Sequence, residues 1–263
     1  MFARLTPVVK NLLIVNIALL LIPNILSIDL GNLFGLRYIL AEQFQPYQFI
    51  TYMFLHGNFG HLLGNMFALF IFGPMLERFW GAKRFFIFYM VTGVGAGLLY
   101  GVVDFIEMNQ LMTSVNQYLN NPNYEDFVAF VNNYIPSYYQ KIYPFIEAFG
   151  DNPTNSNYIN RSIEEVQGIA YVLRNIQMVG ASGAVFGILF AFGFLFPNTE
   201  LFLLFPPIPI KAKYLVTFYG LYELYAGIQR APGDNVAHWA HLGGMLIAFI
   251  LLKIWQDNRN KFY

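Results

Sequence analysis

The sequence predicts an all-α membrane protein built on six transmembrane helices, and three observations carry that prediction. Of its residues 57% are hydrophobic and 19% aromatic, while only 11% carry a charge. Mean hydropathy is +0.47, a value hard to reconcile with a water-facing surface. Six runs meet or approach the roughly 20 apolar residues that a helical span requires, and they are continuous instead of alternating, which indicates helices and not barrel strands.

The first run, 11–28, lies close to the N-terminus and lacks a small-residue cleavage site, so it is read as a retained span. The second and third runs are 58–76 and 83–103. Residues 104–176 interrupt the pattern with Asn, Tyr, Asp and Glu, and are too polar to cross a bilayer. They are expected to form a long loop, solvent-facing or interfacial, with some amphipathic helix, divided at the Asn-Pro pairs 121–122 and 152–153. Runs 180–197, 213–230 and 236–255 complete the six. The whole chain, 1–263, is thus expected to be a single membrane domain in which 104–176 is an insertion between helices 3 and 4.

Charge sets the orientation and excludes some partners. The N-terminal flank, the 2–3 and 4–5 loops and the C-terminal tail hold Arg4, Lys10, Arg78, Lys83, Arg84, Lys211, Lys213, Lys253, Arg259 and Lys261. The opposite side holds Arg37, Lys141, Arg161, Arg174 and Arg230, three of them within the long loop. Ten against five places both termini in the cytoplasm and the long loop outside. Net charge is zero and no basic run occurs, so a nucleic-acid partner is not expected. The absence of cysteine excludes disulfides and thiol catalysis.

With that topology the second, fourth and sixth spans run parallel, each starting at the outer surface. Near those starts stand His61 and Asn65, Ser182, and His238 and His241, at similar depth, roughly 10 Å or less below the outer boundary at 1.5 Å per residue. Small residues at intervals of four, Gly183-Gly187-Ala191 and Ala240-Gly244-Ala248, allow the fourth and sixth helices to approach closely. Gly93-Gly97-Gly101 on the third span reads as a generic packing face.

A serine opening a helix has nearby backbone N–H groups without intrahelical partners, placed where an oxyanion would form. Gly180 and Gly183 keep the approach to the Ser182 hydroxyl clear. His241 can supply the missing base, and His61 and Asn65, four apart on one helix face, can add oxyanion donors. Between the two histidines of "VAHWAHLGG", greater depth and the adjoining small stripe favour His241. His56 and His238 read as solvated rim residues, and Glu77 as structural. Glu223 is expected near mid-membrane, where it could line a cavity or satisfy a neighbouring helix, a depth that disfavours it as the acid of a triad with His241.

"HLLGN" at 61–65, "GASG" at 180–183 and "AHLGG" at 240–244, in that order on spans two, four and six, resemble the rhomboid family of intramembrane serine proteases. The likeness extends through residues 49–81 and covers most of the chain outside the long loop. It implies a rhomboid-like bundle of the bacterial six-span type, in the bacterial cytoplasmic membrane, working without a cofactor. It also implies a serine–histidine dyad of Ser182 and His241, with His61 and Asn65 at the oxyanion and Phe186 stacked on the histidine. The implied partners are single-span membrane proteins, cut near helix-unstable parts of their transmembrane segments after a small residue. Departures are "PYQ" at 46–48 in place of a Trp-Arg pair, Ala248 in place of a second glycine, and the long loop itself. Two other classes remain on the sequence alone: a catalytically silent rhomboid-like scaffold, whose relatives usually lose the serine or histidine, and a transporter, for which the inverted repeats are missing.

Overall fold

The computed structural model describes residues 5–26, 28–202, 208–229, 234 and 236–260. Of the basic residues counted above, Arg4, Arg230 and Lys261 lie outside them. In chain order the helices are α1 (Pro7–Leu26), α2 (Leu30–Phe34), α3 (Gln48–Thr51), α4 (Phe59–Trp80), α5 (Ala82–Asn120), α6 (Tyr124–Tyr134), α7 (Tyr139–Asp151), α8 (Ser156–Arg174), α9 (Ser182–Leu195), α10 (Ala212–Gln229) and α11 (His238–Asn260). Strands β1 (Glu200–Phe202) and β2 (Pro209–Lys211) pair antiparallel between α9 and α10.

Each predicted run coincides with one helix, namely α1, α4, α5, α9, α10 and α11. Three of these, α4, α5 and α11 over His238–Gln256, are long and apolar enough to cross a membrane. Apolar stretches of α1, over Pro7–Ile22, and α9 are shorter. The helix ends follow local chemistry. Asn58 caps α4 by accepting the His61 N–H at 2.9 Å. Gly81, with φ 81°, turns the chain from α4 directly into α5. Glu77, 2% exposed, has the structural role expected of it: its two carboxylate oxygens accept the Val8 and Val9 N–H groups at 3.0 and 2.9 Å. It thereby satisfies donors that the start of α1 leaves without intrahelical partners.

α9 lies at the centre of the bundle, against α4, α5 and α11. Its 14 residues give a length of about 21 Å, short of the roughly 30 Å hydrocarbon core. Ser182 is the first residue of α9.

Residues 104–176 differ from the expected loop. α5 does not end near 103 but continues unbroken to Asn120, α6 and α8 fold against its extension, and α7 packs on α6 and α8. Leu111, Val115, Tyr118, Phe127, Phe145, Phe149 and Val166 are buried in a core separate from that of the bundle. Some amphipathic helix is expected here, and polarity conceals its extent because only one face of each helix is apolar. The chain does turn at both Asn-Pro pairs, where Asn121 and Asn152 end α5 and α7.

Candidate active site

Backbone hydrogen bonds shape the approach to Ser182. Leu36 and Met178 exchange N–H···O bonds of 2.9 and 2.8 Å, and the Arg37 guanidinium donates to the Asn175 carbonyl at 2.9 Å. The Gly180 N–H donates to the Tyr52 carbonyl at 3.0 Å, while the Tyr52 hydroxyl donates to the Gly93 carbonyl at 2.7 Å. Gly180 has φ 144°, a conformation that strains any L side chain. A Cβ on it would stand 2.8 Å from His61 Nε2 and 3.5 Å from Ser182 Oγ. Glycine is therefore required on conformational and steric grounds, and the His61 imidazole and the Ser182 hydroxyl flank it.

Val185 N–H makes the first α-helical bond, to Ala181, at 3.0 Å. The N–H groups of Ser182, Gly183 and Ala184 precede that bond and are left for other acceptors. Beside Ser182, three backbones close in. A Cβ on Gly183 would fall 2.5 Å from the Ala96 Cβ, and one on Gly244 only 1.9 Å from the Gly183 carbonyl oxygen. Hydrogen atoms alone allow α9, α5 and α11 to meet here.

On α11 the His241 ring lies parallel to that of Phe186, with centroids 4.2 Å apart and planes 7° from coplanar. Its Nδ1 is 2.8 Å from Glu223 Oε2 on α10. The same oxygen lies 2.6 Å from His238 Nδ1, and His238 Nε2 lies 2.9 Å from Asp234 Oδ2. The hydrogen bond from His238 holds the Asp234 carboxyl below its usual range. No hydrogen bond joins His241 to Ser182 among the described residues in this conformation.

On α4, Asn65 is 5% exposed and its Nδ2 has no hydrogen-bond partner among the described residues. A buried amide donor without an acceptor is uncommon and suits a site whose acceptor arrives with the substrate. His56, in the turn before α4, stands edge-on to His61 at 5.1 Å. Neither of its ring nitrogens has a partner among the described residues. Burial, reinforced by the neighbouring His61, pushes His56 down to about 3.

Three expectations need correction. His56 and His238 are buried, at 8% and 6% exposure, and are not solvated rim residues. Glu223 does not sit at a depth remote from His241. It is six residues from the end of α10, about 9 Å, while His241 is three residues into α11, about 5 Å, and the two helices are joined as a hairpin. Counting from the middle of a predicted span misplaced it. The available signal was a lone acid in an apolar helix, which has to find a partner nearby.

Comparison with known proteins accords with this arrangement. The Rhomboid domain profile matches residues 43–111 and 155–256, leaving out the end of α5 and all of α6 and α7. The chain is 44% identical over 57 residues to "Rhomboid-like protein 11, chloroplastic" of Arabidopsis thaliana, covering 22% of this chain and 20% of that protein. It is 34% identical over 65 residues to "RHOMBOID-like protein 5" of the same plant, covering 25% and 21%. It is 42% identical over 48 residues to the "Putative rhomboid protease YdcA" of Bacillus subtilis (strain 168), covering 18% and 24%. The matched segments thus span about a fifth to a quarter of these relatives' lengths. The profile, in contrast, covers well over half of the present chain, and its two segments carry His56, His61, Asn65, Ser182, Glu223, His238 and His241. With its apolar helical bundle, this integral multi-pass membrane protein belongs to the rhomboid family.

Proposed function

We propose that the protein is an intramembrane serine endopeptidase that cleaves single-span membrane proteins, with Ser182 as nucleophile and His241 as general base. The observation that carries the reading is the meeting of the Ser182 hydroxyl and His61 Nε2 around Gly180, at the start of a short central helix. His241 Nε2 takes the Ser182 proton as Oγ bonds to the scissile carbonyl carbon, and the carbonyl π electrons move onto oxygen. That oxyanion is held by the Ser182 N–H, His61 and the Asn65 amide. Collapse breaks the C–N bond, and the proton on His241 passes to the leaving amine. Water then repeats the sequence on the acyl-enzyme. Gly180 and Gly183 leave room for the substrate backbone, and Phe186 supports the face of the histidine ring.

The excess of basic residues on one side supports cytoplasmic termini in a bacterial inner membrane, with the 104–176 insertion on the outer, active-site side. A fluorophosphonate probe applied to the detergent-purified protein tests the reading. Labelling of the wild type but not of Ser182→Ala, together with a cut in a single-span substrate located by mass spectrometry, is the expected result. A folded wild type that neither labels nor cleaves any substrate is instead a rhomboid-like scaffold or a transporter.

A further inference from the structure

We propose that Glu223 is a positioning residue for His241: its carboxylate accepts the Nδ1–H, fixes the tautomer that leaves Nε2 bare toward Ser182, and balances the imidazolium formed during catalysis. This rests on the protease reading above, and it replaces an isolated serine–histidine pair with one backed by an acid.

Donor and acceptor inventory makes the argument. An ionised carboxylate only accepts hydrogen bonds, so each ring nitrogen bonded to one must carry a hydrogen. His241 Nδ1, at 2.8 Å from Glu223 Oε2, therefore carries a hydrogen, and when the ring acts as a neutral base its lone pair is on Nε2. His238 has carboxylates at both nitrogens, Glu223 at 2.6 Å and Asp234 at 2.9 Å. Both of its nitrogens carry hydrogens, and the ring is a cation. The chain Asp234, His238, Glu223, His241 then holds two negative charges and one positive. It lacks one positive charge, which His241 supplies when it takes the serine proton. Glu223 and His241 are 4% and 7% exposed, so water does little to screen that compensation.

A metal ion is the competing explanation, since Glu223, His238 and His241 offer three ligand atoms within 4.8 Å of one another. Ligands in a tetrahedral zinc site about 2.0–2.1 Å from the metal stand roughly 3.3 Å apart. The nitrogen-to-oxygen separations of 2.6 and 2.8 Å are hydrogen-bond lengths. Geometry therefore favours protons.

The test compares Glu223→Gln and Glu223→Asp with the wild type in detergent, each checked for an unchanged thermal midpoint. Gln keeps a hydrogen-bonding group but loses the charge, so kcat should fall about a hundredfold or more with KM little altered. Asp should recover at least tenfold of that loss. Ring 15N NMR of His241 should show the Nδ1–H tautomer in the wild type. An active wild type with a fully active Glu223→Gln, or with His241 as the Nε2–H tautomer, overturns the proposal and leaves the protease reading standing. A wild type that neither labels nor cleaves overturns both. Activity should survive prolonged chelation; loss to a chelator with recovery on adding zinc would assign the cluster to a metal instead. Should both substitutions unfold the chain, the NMR and chelation results on the wild type decide alone.

Discussion

The bundle and the helical insertion are both made of helices with aromatic contacts between them, yet the bundle alone also brings backbones together at glycines. In the bundle, backbones touch through small residues. Ala96 stands against Gly183, Thr92 against Gly187, and Gly183 against Gly244, and a Cβ on any of these glycines would fall within 3.0 Å of a neighbour. In the insertion, the contacts are between large rings, with Phe127, Phe145 and Phe149 clustered at centroid distances of 5.5 to 6.1 Å. The surfaces differ as well. Bundle helices present Phe67, Phe70, Leu98, Phe218, Tyr225 and Ile250 outward, whereas the insertion exposes Tyr143 on α7 and, where α8 returns to the bundle, Tyr171 and Val172. Lipid provides no hydrophobic force between helices, so close approach has to stabilise the bundle. In water, burial of apolar area at about 25 cal/mol per Å² stabilises the insertion. The difference marks where hydrocarbon ends along α5, which takes part in both cores.

If chemistry resides in the bundle alone, the largest effect belongs to its histidine base. His241→Ala should abolish both proteolysis and fluorophosphonate labelling, while His238→Ala, which removes only a partner of Glu223, should lower both without abolishing either. Activity that survives loss of His241 but not of His238 would reverse the assignment. Next comes the backbone contact. Gly244→Ala forces a methyl group onto the Gly183 carbonyl and should destabilise the bundle by about 3 kcal/mol, read as a lower thermal midpoint with lost activity. An unchanged midpoint would show that the helices can separate cheaply. Asn65→Ala should lower turnover roughly ten- to a thousandfold while Ser182 still labels; unchanged turnover removes Asn65 from the site.

The smallest effect is expected from the insertion. Replacing residues beyond the membrane part of α5, through α8, by a short linker should leave hydrolysis of a small substrate close to wild type. Residues 104–176 carry eight acidic and three basic side chains, leaving five excess negative charges. Preference among membrane substrates should therefore shift toward those with acidic juxtamembrane segments once that charge is gone. A folded bundle unable to cleave anything would make the insertion part of the machinery and erase the contrast drawn here.

The two regions were also unequally legible in the sequence. Apolar runs near 20 residues located every bundle helix to within a few positions, except for the far end of α5, because lipid demands continuous apolarity. The insertion demands only one apolar face per helix, so its composition resembled a loop, although Asn123 and Asn155 stand at caps of α6 and α8. At the site, Ser182, His61 and Asn65 were readable as polar residues at one depth in lipid. The stacking of Phe186 on His241 was readable only through family likeness. The Glu223 contact depends on how the α10–α11 hairpin aligns two depths, and spacing along the chain does not encode that.

α5 has 39 residues in one helix, about 58 Å of rod, nearly twice the roughly 30 Å of a hydrocarbon core. The insertion thus rides on the bundle as a vane on a shaft, with its compass bearing set by helical phase. One residue added to α5 between the two cores turns the vane by about 100° and raises it by about 1.5 Å. Four residues return it almost to its original heading, about 6 Å higher. The chain returns from α8 to the bundle at Asn175 and Met178, held there by Arg37 and Leu36, so a one-residue step would twist against that second mooring while the four-residue step would keep the heading.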